Sequence, residues 1–485
     1  MQKNRGQILL AIYLFLAIYL LPIFTRDNSP NELTRWATAA AIIEKSSFEI
    51  GWTRDLIGNN VEAVSRDSAE MYSDKAPGTA VLAAPFYALT RLFVGAPTTE
   101  NIRISWFVMR FFIATLPLFV LAFWLYKRDV DEYSLAALLF ATPLFLYSLL
   151  FFSHVLVGVC LYFVFRLLYD TDRIFLRNCL AAGLLAGIAV SCEYGAVIPV
   201  FVFGAGLYFA DKRERGLRLI CFFAGLSPFA IFLLIYNFWL FGSPFFPLEN
   251  SFAVSTAADA SVFGYPTPDK IYQWLFSPAR GVFFYSPLLI FSVFAFFTSR
   301  ERRTLRHRVK IFSVALSVLI LCGYDFRNDD WTMGARHLIL IVPLLLDSFF
   351  DGEIEYYPSF WRAFLLGASV ILCAVPVLTF PFAPSKFLFP HKDLWAKLII
   401  SEAWFMPNLA GVFGFSASFW TILPVLILFV AILYTVWRSA KFPARFFAGI
   451  FCAALLIAVY LAIPPTESAK NNFQRFIEST DHREK

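Results

Sequence analysis

Apolar positions along this chain collect in long unbroken runs. They show neither the alternation of a half-buried strand nor the one-sided stripe of a soluble helix. The runs lie near 8–24, 102–126, 134–152, 154–169, 178–191, 195–210, 217–241, 282–298, 309–323, 337–350, 362–382, 418–437 and 445–463. This pattern predicts an all-α polytopic membrane protein with about 13 transmembrane helices, because only helices satisfy every backbone group inside lipid. Several runs fall short of the ~20 residues a perpendicular crossing needs, so the closely joined ones (154–169, 178–191, 195–210) have the least defined ends.

The turns between the runs orient the chain. "KRDVDEY" at 127–133, "DKRERGLR" at 211–218, "SRERRTLRHRVK" at 299–310 and "RSAKFPAR" at 438–445 fall on one side. The positive-inside bias makes that side cytoplasmic, together with the N-terminus. The turn "DGEIEYYPS" at 351–359 falls on the same side yet carries acids and no Lys or Arg. The other face receives four longer segments, 25–101, 242–281, 324–336 and 383–417. The apolar stretch 79–95 contains Pro85 and Arg91, and counting it as a crossing would put 127–133 outside. It reads as an interfacial helix of the first outer loop. No repeat or separate soluble domain divides residues 1–485.

Composition agrees. The chain is 59% hydrophobic and 19% aromatic, with 58 Phe and only 16% charged residues, which excludes a soluble globular protein of this size. Its net charge of +6 is explained by topology-setting turns, so nucleic acid is not an expected partner. The seven cysteines lie singly in or beside apolar runs, without metal-ligand spacing, and read as packing residues. The basic, apolar N-terminus lacks a small-residue cleavage site and reads as an uncleaved first span.

Candidate chemistry concentrates in the outer segments. "SPNELTRW" at 29–36 follows the first span, and Ser29-Pro30 is a helix start that puts Glu32 and Arg35 on one face of the first turn. In "MYSDKAPG" at 71–78, Tyr72, Asp74 and Lys75 precede a second helix, whose free N–H groups could bind an anion together with the ammonium. "WLFSPARGVFFYSP" places Arg280, and "YDFRNDDWTMGARHLILIVP" places Arg336 and His337, at the mouths of later spans. Arg forks hold phosphate oxygens in pairs, so this layer suits a lipid-linked phosphate. Taken singly, each charge is more simply a snorkelling anchor or ion pair. His154 and Glu193 at outer helix ends read as structural, and "DFRNDDW" at 325–331 reads as a solvated turn rather than a metal site.

The order of features resembles the GT-C superfamily of polyprenyl-phosphate-sugar-dependent glycosyltransferases. It resembles especially the glycosyltransferase family 39-like branch, with protein O-mannosyltransferases and the lipid A aminoarabinose transferase. In that family an acid just after the first span, in a pattern resembling Asp-Glu-x-(Arg/His)-aromatic, is the catalytic base. "ELTRW" puts Glu32 in that position; aligning "NE" with "DE" instead gives Asn31, which keeps Asp27 as the alternative base. "YSDKAPG" resembles the family's Y-x-x-K-P segment, which implies that Lys75 contacts the donor phosphate. "GARHLILIVP" is similar to its Gly-x-Arg segment, which implies a substrate role for Arg336. The resemblance implies a bacterial plasma-membrane enzyme with an extracytoplasmic site. Its partners would be a polyprenyl-phosphate sugar and a lipid, glycan or protein acceptor, with no cofactor or metal. Two other readings stay open: a transporter or lipid flippase, and an oligosaccharide polymerase or ligase with a pyrophosphate-linked donor.

Overall fold

The computed structural model describes residues 2–20, 30–58, 63–64, 70–170, 175–210, 214–245, 264–299, 301, 303–324, 333–384 and 386–484. Asp27, residues 246–263 of the second outer segment and the acid-rich turn 325–331 lie outside them. The sheet among the described residues is one antiparallel pair, Ala63–Val64 with Met71–Tyr72. Everything else regular is helical.

Among the described residues five helices are long and apolar enough to cross a membrane: Ile102–Lys127, Arg215–Phe241, Ser359–Leu378, Phe419–Ser439 and Pro443–Ala462. Six shorter apolar helices accompany them, including Asn4–Tyr19, His154–Tyr169 and Leu176–Cys192. Many of their large side chains point outward, among them Phe201, Phe238, Trp239 and Phe297. Only a lipid surround makes so much exposed apolar surface stable, and the chain is an integral membrane protein.

Three of the expected spans are broken, among them 282–298, which stops after Tyr285 and resumes at Pro287. The run 134–152 forms Glu132–Phe140, stops at Ala141-Thr142, and resumes as Leu144–Tyr147 behind Pro143, which cannot continue the ladder. The run 337–350 begins as a 3₁₀ stretch, Arg336–Ile341, and continues as Val342–Leu345 and Asp347–Phe350. The last two runs are buried by protein throughout, from Leu135 to Phe152 and from Leu338 to Phe349. Irregular backbone is tolerated at membrane depth only in such surroundings.

Close approach of helices depends on small residues. Gly183 on Leu176–Cys192 sits against the Phe222 carbonyl, and Gly225 on Arg215–Phe241 sits against the Leu180 carbonyl. A Cβ at either point has no room, and backbone rather than a flexible side chain stands in the way. Gly183→Val is therefore expected to cost about 1–3 kcal/mol through forced separation of the two helices. A lowered thermal midpoint in detergent would register it; an unchanged midpoint would contradict this packing.

The acidic turn 351–359 finds its explanation in the basic turns. Asp351 pairs with Arg166 at 3.3 Å and Arg306 at 2.6 Å, Glu353 accepts a hydrogen bond from Ser299, and Glu355 pairs with Lys441 at 3.4 Å. The acids therefore share one end of the bundle with the basic turns and balance their charge.

Two helices of the first outer segment, Pro30–Lys45 and Gly78–Val94, pack on each other, with the Trp36 and Tyr87 rings edge to face. At the far end of the chain, Glu467–Glu484 forms a polar helix that the hydropathy pattern did not predict. It docks through Phe476 against Phe380 and Phe387.

Candidate functional site

Pro30 starts its helix as the sequence indicates, but Glu32 and Arg35 reach different partners. Glu32 is fully buried. One of its carboxylate oxygens accepts from Arg110 Nε and the Phe151 N–H at 2.8 and 2.6 Å, and Arg110 Nη2 also lies 2.8 Å away. Arg110 in turn lies over the Trp106 ring at 4.9 Å. This buried pair ties the first outer helix to Ile102–Lys127. Arg110 was not singled out in the sequence, although a lone arginine inside an apolar run is a signal in itself.

Arg35 lies over the Phe152 ring at 5.4 Å and joins a second set of charges. At its centre is Glu193, between Leu176–Cys192 and the next helix. Glu193 Oε2 accepts a hydrogen bond from Ser153 Oγ at 2.6 Å and stands 3.5 Å from His154 Nδ1; Oε1 stands 4.0 Å from His337 Nδ1. Burial pushes the Glu193 carboxyl up, but the charges of His154, Arg35 and Arg336 and the Ser153 hydrogen bond outweigh it. The carboxyl is held below its ordinary value and is ionised at neutral pH.

Arg336 Nε donates to His337 Nε2 at 3.1 Å, which makes that nitrogen the acceptor and leaves the neutral-ring proton on Nδ1, facing Glu193. The His337 ring lies among Trp274, Tyr324 and His154, at 4.8–5.8 Å between centroids. Arg336, His154, Lys75 and Arg35 are all close enough to act on it electrostatically. Five separate stretches of chain thus bring Arg35, Lys75, His154, Glu193, Arg336 and His337 into one cluster.

Lys75 reaches the cluster because of a glycine. Gly78 opens its helix against the backbone of Ser191, where a side chain would collide, so the turn before it sits beside Glu193. Lys75 Nζ pairs with Asp74 at 2.7 Å and remains about one-fifth exposed. Tyr72 donates to Glu70 at 2.6 Å and packs against Phe241, so it braces this segment on the Arg215–Phe241 helix. Arg280 is buried; its carbonyl packs near Gly334, and its charge acts on the Tyr285 phenol. Gly334 has φ +68°, a conformation that favours glycine and turns the chain into Arg336. His154 and Glu193, read from the sequence as structural, are central to the cluster. Their signal was present, since each interrupts or opens an apolar run.

Among the described residues no group of three or more His, Cys, Asp and Glu side chains is placed to hold a metal ion. The arrangement can bind an anion through three flexible or forked cations and can accept a proton at a carboxylate beside them.

No family model matches the chain. No curated protein matches it either. Solved structures do. ArnT from Cupriavidus metallidurans bound to undecaprenyl phosphate superposes on 94% of this chain and 77% of its own, at 12% identity and a TM-score of 0.51. The same protein in the apo state covers 92% and 75%, at 13% identity and a TM-score of 0.50. An oligosaccharyltransferase from Archaeoglobus fulgidus aligns over 81% of this chain and 57% of its own, at 15% identity and a TM-score of 0.47. Over 92–94% of its length, and despite sequence divergence, the chain has the helical membrane fold of ArnT.

Proposed function

We propose that this protein is a membrane glycosyltransferase that moves a sugar from a polyprenyl-phosphate donor to an extracytoplasmic acceptor. The observation that carries this reading is the convergence of Arg35, Lys75, Arg336 and His337 around Glu193, in a chain whose fold is shared with a protein solved with undecaprenyl phosphate bound.

In the proposed reaction the bond between the anomeric carbon and the phosphate oxygen breaks as an acceptor hydroxyl or amine attacks from the opposite side, which inverts the configuration. The electron pair leaves with the phosphate, where Arg35, Lys75 and Arg336 offset the developing charge. The attacking group gives its proton to a carboxylate, a contribution of about 10²–10⁴-fold. A monophosphate leaves with a charge that three cations can balance, so the reading assigns no metal to this step.

The carboxylate has three candidates. The family resemblance nominates Glu32, with Asp27 as its alternative. Geometry adds Glu193, which stands among the cations, whereas Glu32 is engaged by Arg110 and would have to exchange that partner for the acceptor. The proposed setting is the bacterial plasma membrane with the cluster outside and the acceptor a lipid, glycan or protein. Tyr72, Asp74 and Arg280 are assigned to the substrate-binding surround.

The test is turnover of labelled polyprenyl-phosphate sugars by purified protein in lipid, for wild type, Glu32→Gln, Asp27→Asn and Glu193→Gln, alongside binding of polyprenyl phosphate alone. The base is the residue whose amide variant retains lipid-phosphate binding and loses turnover. Undiminished turnover in all three variants would refute the acid-base assignment. Absence of polyprenyl-phosphate binding by wild type would refute the donor class.

A further inference from the structure

Beyond the helical run that begins at Arg336, the bundle ends in a cavity of about 800 Å³. The N-terminal helix at Arg5, the turn 131–133, the segment 355–362 and the turn 439–446 enclose it. None of these residues belongs to the cation cluster.

The charges in its wall divide into those already engaged and those that are not. Asp131 caps its helix, accepting from the N–H groups of Tyr133 and Ser134 and from the Ser134 hydroxyl. Glu355 pairs with Lys441, and Arg5 donates to the Arg438 carbonyl at 3.1 Å. Glu132 differs: it is 3% exposed, yet its Oε1 has no hydrogen-bond partner among the described residues. Burial holds its carboxyl above the ordinary value, and the charges of Asp131 and Arg5 act on it with opposite sign. Arg362, whose guanidinium lies over the Tyr133 ring at 4.6 Å, likewise leaves a buried Nε without a partner. Arg445 stands at the rim over Phe442.

A buried carboxylate oxygen seeks a donor, and a buried guanidinium N–H seeks an acceptor. One small group offers both: a phosphate diester carrying an ammonium two carbons away. A purely anionic group would satisfy the arginines but meet the Glu132 charge, and a simple amine would do the reverse. The rim also carries exposed aromatic rings, Tyr356 and Phe442. The walls continue into Ser359–Leu378, Phe419–Ser439 and Pro443–Ala462, whose outer faces are apolar. Acyl chains can follow those faces, which favours a membrane lipid over a soluble zwitterion. We propose that this cavity is a binding site for the headgroup of an aminophospholipid, with Arg362 and Arg445 on the phosphate and Glu132 accepting from the ammonium.

The test is binding of short-chain phosphatidylethanolamine, short-chain phosphatidylglycerol and free phosphoethanolamine to the full-length protein in detergent, followed by native mass spectrometry. The amine lipid is expected to bind at least about tenfold tighter than the glycerol lipid, the order of one charge-assisted hydrogen bond. Glu132→Gln should abolish that preference. Arg445→Ala, at an exposed position that folding tolerates, should weaken both lipids alike. Equal binding of the two lipids to wild type, or no effect of Arg445→Ala on either, would overturn the site. Free phosphoethanolamine binding as tightly as the lipid would overturn the assignment to a membrane lipid.

Discussion

Asp347→Ala is expected to destabilise the protein by about 3–5 kcal/mol, the cost of leaving buried cations without their counter-ion. Asp347 is completely buried, and its carboxylate holds Arg166 at 2.9 Å, Arg306 at 3.0 Å and Lys310 at 2.9 Å. These come from two helices far apart in the chain, so the residue pins the ends of His154–Tyr169 and Leu305–Leu321 to Asp347–Phe350. Asp351 takes part of the load through Arg166 and Arg306. With Asp347 gone, Lys310 would lose its 2.9 Å counter-ion, and the two arginines would be left to the more exposed Asp351, Asp170 and Glu301. Glu301→Ala is the matched control, because Glu301 is half exposed and, among the described residues, its carboxylate pairs with Arg306 at 3.4 Å. Its loss should cost no more than about 1 kcal/mol. Denaturant or thermal unfolding in detergent compares the two; similar small losses would mean that water already screens the network.

On the proposed reaction, Arg336→Ala should lower turnover about 10²–10³-fold, the usual consequence of removing one preorganised donor to a developing anion. Arg336 is buried, and its hydrogen bond to His337 Nε2 sets its direction before any substrate arrives. That preorganisation makes the loss larger than for an exposed lysine that must first be ordered. Arg336→Lys should recover only part of the rate, since a point charge replaces a fork and the bond to His337 is lost. Measuring kcat for the labelled donor together with polyprenyl-phosphate affinity separates binding from chemistry. Full turnover by Arg336→Ala would remove the phosphate role from this cluster.

The fold was legible wherever a single helix decides the signal. The runs at 154–169 and 217–241 appear as His154–Tyr169 and Arg215–Phe241 because an apolar stretch of that length has one stable form in lipid. The breaks at 141–143 and 341–343 were less legible. Their prolines are visible, but whether a helix kinks or stops depends on what surrounds the freed carbonyls. The docked helix Glu467–Glu484 was missed because its apolar contacts, Phe473 and Phe476 among them, are few and scattered in a polar stretch.

Part of the candidate site was also readable. Lys75, Arg280 and Arg336, with His337, could be named as one outer layer; Lys75, Arg336 and His337 do share a cluster, joined by Arg35, whereas the Arg280 charge acts on Tyr285. Glu193 and His154 could be seen but not ranked, because a charge at a helix end has the same appearance whether it anchors, pairs or reacts. Arg110 was passed over inside an apolar run, and with it the partner that holds Glu32.

Sequence alone determined that this chain must lie in a membrane, which turns share its basic end and which polar residues gather at the other. Those properties follow from transfer of each segment between water and lipid, a local quantity that adds along the chain. Tertiary structure decided the pairings. It sent Glu32 to Arg110, set Glu193 among the cations and buried Asp347 under three bases. Such choices depend on which helices meet and how closely, and glycines such as Gly78, Gly183 and Gly225 set those distances across large separations in sequence.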